Sequence, residues 1–158
     1  MNDARGSEGG ALREVGAWTV AAVRRAGWAP IVVVVVHAVC SKVFELYRPY
    51  PHLDLPMHAA GGLAIGWFCW CATGVREVRP VLGVLTRFGR AFVASLGVLA
   101  ATVVWEFAEW TTDGLGWTRA QGGQLDTMVD MTLGALGGAL AVALGAWRGR
   151  ARVSNVGV

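Results

Sequence analysis

Four apolar stretches of bilayer-crossing length constrain this chain more than any other feature. A helix needs about 20 consecutive, mostly apolar residues to cross a hydrocarbon core. Such stretches run over residues 28–44, around the unbroken apolar run 31–36, and over 57–75, 91–110 and 125–147. Composition agrees: 16% of the 158 residues are charged, and 54% are apolar before the 22 glycines are added. Soluble domains carry about 25% charged residues. Collagen, disorder, a disulfide scaffold and an ordinary soluble enzyme are excluded on these grounds. The sequence predicts an all-α, polytopic membrane protein with an N-terminal segment over 1–27, a four-transmembrane-helix bundle over 28–147 and a basic tail over 148–158.

Orientation follows from the arginines and lysines that flank the spans. Eleven of the 14 lie in the N-terminal flank, in the second connection (Arg76, Arg79, Arg87, Arg90) or in the tail, all on one side of a four-span chain. Lys42, Arg48 and Arg119 are on the other side. Both termini are therefore expected in the cytoplasm, in a bacterial plasma membrane. Residues 11–25 could lie as an amphipathic helix at the inner interface, as could Val81, Leu82, Val84, Leu85 and Phe88 in the second connection. Arg24 and Arg25 before an apolar run have the outline of a signal peptide, but the small-residue cleavage pattern is missing, so the first helix should stay uncleaved. Tyr47, Tyr50, Trp110, Trp117 and Trp147 suit interfacial anchors. Cys69 and Cys71 point to opposite helix faces, and with Cys40 they read as small core residues.

The acids sort the other way. Only Asp3, Glu8, Glu14 and Glu77 are on the inner side, where eleven bases leave a net charge of +7. Glu45, Asp54, Glu106, Glu109, Asp113, Asp126 and Asp130 gather at the outer ends of the helices, and three bases leave that side at −4. The total of +3 is thus a topological signal, and no nucleic-acid partner is expected. A charge near a helix centre costs on the order of 2.5–3.5 kcal/mol, less towards the ends, so such a cluster needs partners or a task.

Each helix carries its polar groups as a stripe. His37, Ser41, Glu45 and Arg48 share one face of the first helix; Thr102, Glu106, Glu109 and Asp113 share one face of the third. Asp54 and His58 are one turn apart on the second, as are Asp126 and Asp130 on the fourth. Asp54 reads equally as an N-cap, and Asp126 at a helix N-terminus is favoured by the macrodipole. Glu106, Glu109 and Asp113 crowd a helix C-terminus, where negative charge is disfavoured, so something else must stabilise them. His37 reads as a satisfied core histidine or a loosely coupled relay. Four-residue spacing repeats in His58, Gly62, Gly66 and in Asp130, Gly134, Gly138. Two parallel helices with such faces can approach closely, which would hold His58 level with Asp130. Alternatively, these glycine-rich faces make a homo-oligomer.

His58, the nearby carboxylates and the amides of Gln121 and Gln124 make an oxygen-rich site. The set His58, Glu106, Glu109, Asp126 and Asp130 could hold a divalent metal ion: Mg²⁺, Mn²⁺ or Ca²⁺ by its oxygens, Zn²⁺ or iron by the imidazole. Asp54, Gln121 and Arg48 are expected as further binding residues. No HExxH, GxSxG, Walker A, zinc CxxC pair or Glu-x-x-His di-iron pattern is present.

The motifs DLPMH at 54–58, WEFAEW at 105–110 and QGGQLDTMVDM at 121–131 resemble the DxxxH, (W/Y)ExxEW and QGxxxDTxxDM elements of a bacterial inner-membrane family, the YjdF type, related to the VanZ-like group. The resemblance covers roughly residues 40–147. Gly123, Gln124 and Leu125 stand where that family has an acid-and-aromatic stretch. The resemblance implies a cell-envelope setting and supplies no reaction. The expected function is an outer-leaflet site that acts on or binds a lipid head group or a lipid-linked envelope precursor, with Glu106 or Glu109 as general base if chemistry is done. The alternatives are a small proton-coupled transporter, or a non-catalytic envelope or assembly factor whose cluster only pairs the helices.

Overall fold

The computed structural model describes residues 3–154, with side-chain environments for 9–148. Residues 155–158 of the expected basic tail lie outside the described residues, as do the first two of the N-terminal segment. Helices α1 (Asp3–Ala26), α2 (Trp28–Ala38), α3 (Asp54–Ala72), α4 (Arg79–Leu82), α5 (Arg87–Gly114) and α6 (Gln124–Ser154) follow in order. Among the described residues there is no strand, in keeping with the all-α expectation.

The first apolar stretch begins just after a bend and ends in a π turn. Gly27 separates α1 from α2, which meet at 65°. A Cβ at Gly27 would lie 2.7 Å from the Val23 carbonyl oxygen, so the bend needs a glycine there. Pro30 falls in the first turn of α2, where a missing N–H costs nothing. After Ala38 the helix widens into a π turn over Val39–Val43. Glu45 then takes φ +47°, the left-handed conformation that commonly stops a helix. Thr86 caps α5 by accepting a hydrogen bond from the Gly89 N–H at 3.0 Å.

Helix α5 and the Gln124–Arg148 part of α6 are each long and apolar enough to cross a membrane, and the bent pair α1–α2 adds a third span if counted as one. Their outward faces suit lipid: Phe92, Leu96, Val104 and Phe107 on α5, and Leu136 and Leu140 on α6, are all exposed. Helix α3 is central and touches α1, α2, α5 and α6. At its C-terminal end Trp70 packs with Ala94 and Val142. Arg90 stacks on Trp70 at 4.2 Å and donates to the Trp70 carbonyl at 3.0 Å. Trp18 of α1 donates to the Ala72 carbonyl at 2.8 Å.

The glycine faces meet inside the chain. A Cβ at Gly62 would overlap the Gly134 carbonyl, and one at Gly66 would lie 2.8 Å from the Gly138 Cα. An oligomer would therefore have to use other surfaces. Helices α3 and α6 start at the same end of the bundle, and that register places His58 opposite Asp130.

Candidate functional site

Where α3 and α6 begin and α5 ends, four carboxylates surround one imidazole. His58 Nε2 lies 3.6 Å from Asp54 Oδ1 and 3.8 Å from Asp130 Oδ2. On the other side of the ring, Nδ1 lies 3.8 Å from Glu106 Oε1. Ligand atoms of Asp54, His58 and Asp130 all fall within 4.8 Å of one another, as do those of His58, Glu106 and Glu109. Three of the carboxylates are buried, Glu106, Glu109 and Asp130 being 6%, 8% and 2% exposed, whereas the Asp54 side chain is 25% exposed. Among the described residues, no lysine or arginine lies within ion-pair distance of these four carboxylates.

Separations of 3.6–3.8 Å are too long for direct hydrogen bonds. The two measured from Nε2 match the spacing of donors round one ion: two ligands about 2.4 Å from a cation, at an angle near 105°, are roughly 3.8 Å apart.

The carboxylates at the end of α5 have separate stabilising partners. Trp105, one turn back, donates its indole N–H to Glu109 Oε1 at 2.8 Å. Gln121 donates to Glu106 Oε2 at 3.3 Å and accepts from the Thr127 hydroxyl at 2.8 Å. Asp113 takes no part in the cluster. It accepts from the Thr118 hydroxyl and from the Ala120 and Gln121 N–H groups, each of those two at 2.9 Å. Asp113 thus folds the α5–α6 loop back, and that fold delivers Gln121 to Glu106. Asp130 differs from all of these. Its Oδ1 is buried with no hydrogen-bond partner among the described residues, an arrangement that is rare and costly.

Asp54 is in the cluster and its alternative reading as a cap is overturned, while Asp126 and Arg48 are positioned elsewhere. Asp54 does not cap α3; it is the first residue of the helix, and its carboxylate turns to His58. Asp126 accepts from the Gly122 N–H at 2.9 Å, closing the turn before α6, and lies outside both groups round His58. Arg48 pairs with Glu45 at 2.8 Å on an exposed loop, its side chain 83% exposed, away from the cluster. The first-helix stripe that grouped these two residues with His37 breaks at the π turn and the left-handed Glu45.

His37 is a satisfied histidine, one of its two expected roles, and its partner is Tyr47, a residue that spacing alone assigns to an interfacial anchor. His37 Nδ1 is 3.0 Å from the Tyr47 hydroxyl, and its ring meets Trp105 edge-on at 5.5 Å. Burial, reinforced by the Asp54 carboxylate, pushes the Tyr47 phenol up to about 12, so it keeps its proton and can donate to a neutral imidazole. Tyr47 therefore faces inward, whereas Tyr50, Trp110, Trp117 and Trp147 are exposed as anchors would be. The tight turn after α2 carries this contact, and nothing in residue spacing announces it. The three cysteines are free.

No curated protein and no solved structure matches the chain. One family model does, over residues 23–151, a stretch that takes in α2 to α5, most of α6 and every residue of the cluster. The chain belongs to that family, described as "Predicted membrane protein (DUF2238)".

Proposed function

We propose that this protein crosses the bacterial plasma membrane four times, with both termini cytoplasmic, and carries a divalent-cation site at the outer-leaflet end of its bundle. Asp54, His58 through Nε2, and Asp130 hold the ion. Glu106 faces His58 Nδ1 at 3.8 Å and favours the tautomer that leaves Nε2 free for the ion, as second-shell carboxylates do. The observation that carries this reading is the orphaned Asp130 Oδ1 beside an imidazole and a second carboxylate. A cation supplies the missing partner and offsets the negative charge. Three protein ligands leave coordination positions open for a substrate oxygen or water, the arrangement of catalytic rather than closed structural sites. One nitrogen with carboxylate oxygens suits Mn²⁺, Mg²⁺, Ca²⁺ or Zn²⁺.

At that depth the molecules at hand are lipid head groups and lipid-linked envelope precursors, the setting that the YjdF and VanZ resemblance also suggests. If the site performs chemistry, Glu106 is the better general base, because it borders the adjoining cavity and Glu109 does not. The transporter alternative needs a polar path to the far side. Beneath Thr102 the packed residues are Val98, Ala94, Trp70 and Val142, which favours a one-sided site. An assembly role would make the cluster a purely structural pairing.

Elemental analysis of protein purified without chelators tests the reading. Stoichiometric divalent metal is expected in wild type, with a large loss in Asp130→Asn at unchanged helicity. Wild type that contains no metal and takes up no Mn²⁺ overturns it.

A further inference from the structure

Next to the cluster, a cavity of about 130 Å³ opens between α2, α3 and α5. One end is polar, where His58 and Glu106 reach it beside His37; the rest is walled by Val33, Val34, Ile65 and Ala101. From Pro30 to His37 the α2 wall is about 10 Å long at about 1.5 Å per residue. An apolar cavity of about 150 Å³ accepts benzene, so this one takes about six carbon atoms. Val34 both lines the cavity and is 50% exposed, so the opening is sideways, onto a surface that in a membrane meets hydrocarbon.

Gly61 lines the same space. A Cβ there would meet nothing within 4 Å. Its neighbour Gly62 needs to be glycine because α6 touches it; Gly61 has no such reason, and glycine disfavours a helix relative to alanine. What Gly61 provides is width.

We infer that this cavity seats the head-proximal part of an acyl chain of an outer-leaflet lipid, about six carbons long, its polar end at His58 and Glu106 and its tail directed towards Pro30. The inference deepens the proposed function and rests on it for the membrane orientation. With the cluster end of the bundle in the outer leaflet, the polar end of the cavity lies at head-group level and its apolar end towards the bilayer centre. That is the direction of an outer-leaflet lipid, and a head at the polar end reaches the open coordination positions.

The test uses the full chain in nanodiscs of phosphatidylglycerol and phosphatidylethanolamine. Palmitoylglycerol carrying a diazirine in its chain, with an uncharged head, is the probe. After irradiation, mass spectrometry should place adducts on Val33, Val34, Ile65 and Ala101 well above those on Leu140 and Leu144 of the outer α6 face. Gly61→Leu, and independently Ala101→Leu, should lower the cavity adducts to the level of that face while Mn²⁺ uptake is retained. Equal labelling of cavity and α6 face in wild type, or cavity labelling that both substitutions leave intact, overturns the inference. The two readings separate on the same samples. Cavity labelling without Mn²⁺ uptake contradicts the cation site alone, and Mn²⁺ uptake without cavity labelling contradicts the chain alone.

Discussion

His58 Nε2 faces Asp130 Oδ2 at 3.8 Å because, one and two turns further along, Gly62 touches Gly134 and Gly66 touches Gly138. Two parallel helices in backbone contact share one register, so residues four positions before the glycines must also meet. The glycine ladder is the ruler of the site.

Gly62→Ala should therefore damage both stability and site. A methyl group there overlaps the Gly134 carbonyl, and such overpacking costs about 1–3 kcal/mol. Forcing α3 from α6 also separates His58 from Asp130, so Mn²⁺ affinity should fall. Gly61→Ala, with open space before it, should keep the fold and gain up to about 1 kcal/mol from helix propensity. Thermal unfolding in detergent compares the two; equal effects would contradict the ladder.

Acid should release the cation. Asp54 and Asp130 must be ionised, and His58 Nε2 unprotonated, to serve as ligands, so protons compete with metal. The Mn²⁺ dissociation constant should rise steadily from about pH 8 to about pH 5, the range in which histidine charges. Affinity that is flat over this range would show that His58 is not a ligand.

Asp113 governs the site from outside it. Its carboxylate accepts the Ala120 and Gln121 N–H groups, and Gln121 reaches Glu106 only while that loop is folded. In Asp113→Ala, amide hydrogen exchange at residues 120 and 121 should quicken by at least about tenfold, the value of a charge-assisted hydrogen bond. Exchange in the middle of α5 should not change. Unaltered exchange at Gln121 would mean the loop is held by other contacts.

Much of this arrangement is legible in residue spacing, and what is not has identifiable causes. The glycine repeats, the pairing of His58 with Asp130 and the inward face of Glu106 and Glu109 all follow from helical periodicity, which persists through a straight helix. Arg48 and Asp126 defeat the same reasoning because they stand where periodicity stops. Arg48 follows a π turn and a left-handed residue, and it bonds to Glu45 rather than to the bundle. Asp126 sits in a first helical turn, where a backbone N–H is a nearer partner than the groups round His58. His37 and Tyr47 meet through that irregular turn, and Gly61 differs from Gly62 only in what lies across from it. Such distinctions depend on tertiary packing.

The central claim is that one cation is coordinated by His58 between Asp54 and Asp130. Electron spin echo envelope modulation of Mn²⁺ bound to the purified protein tests it most directly, since a coordinated imidazole nitrogen modulates the echo. The account predicts nitrogen modulation in wild type and in Glu109→Gln, and its loss in His58→Gln. Bound Mn²⁺ without nitrogen modulation in wild type, or modulation that survives His58→Gln, would contradict it.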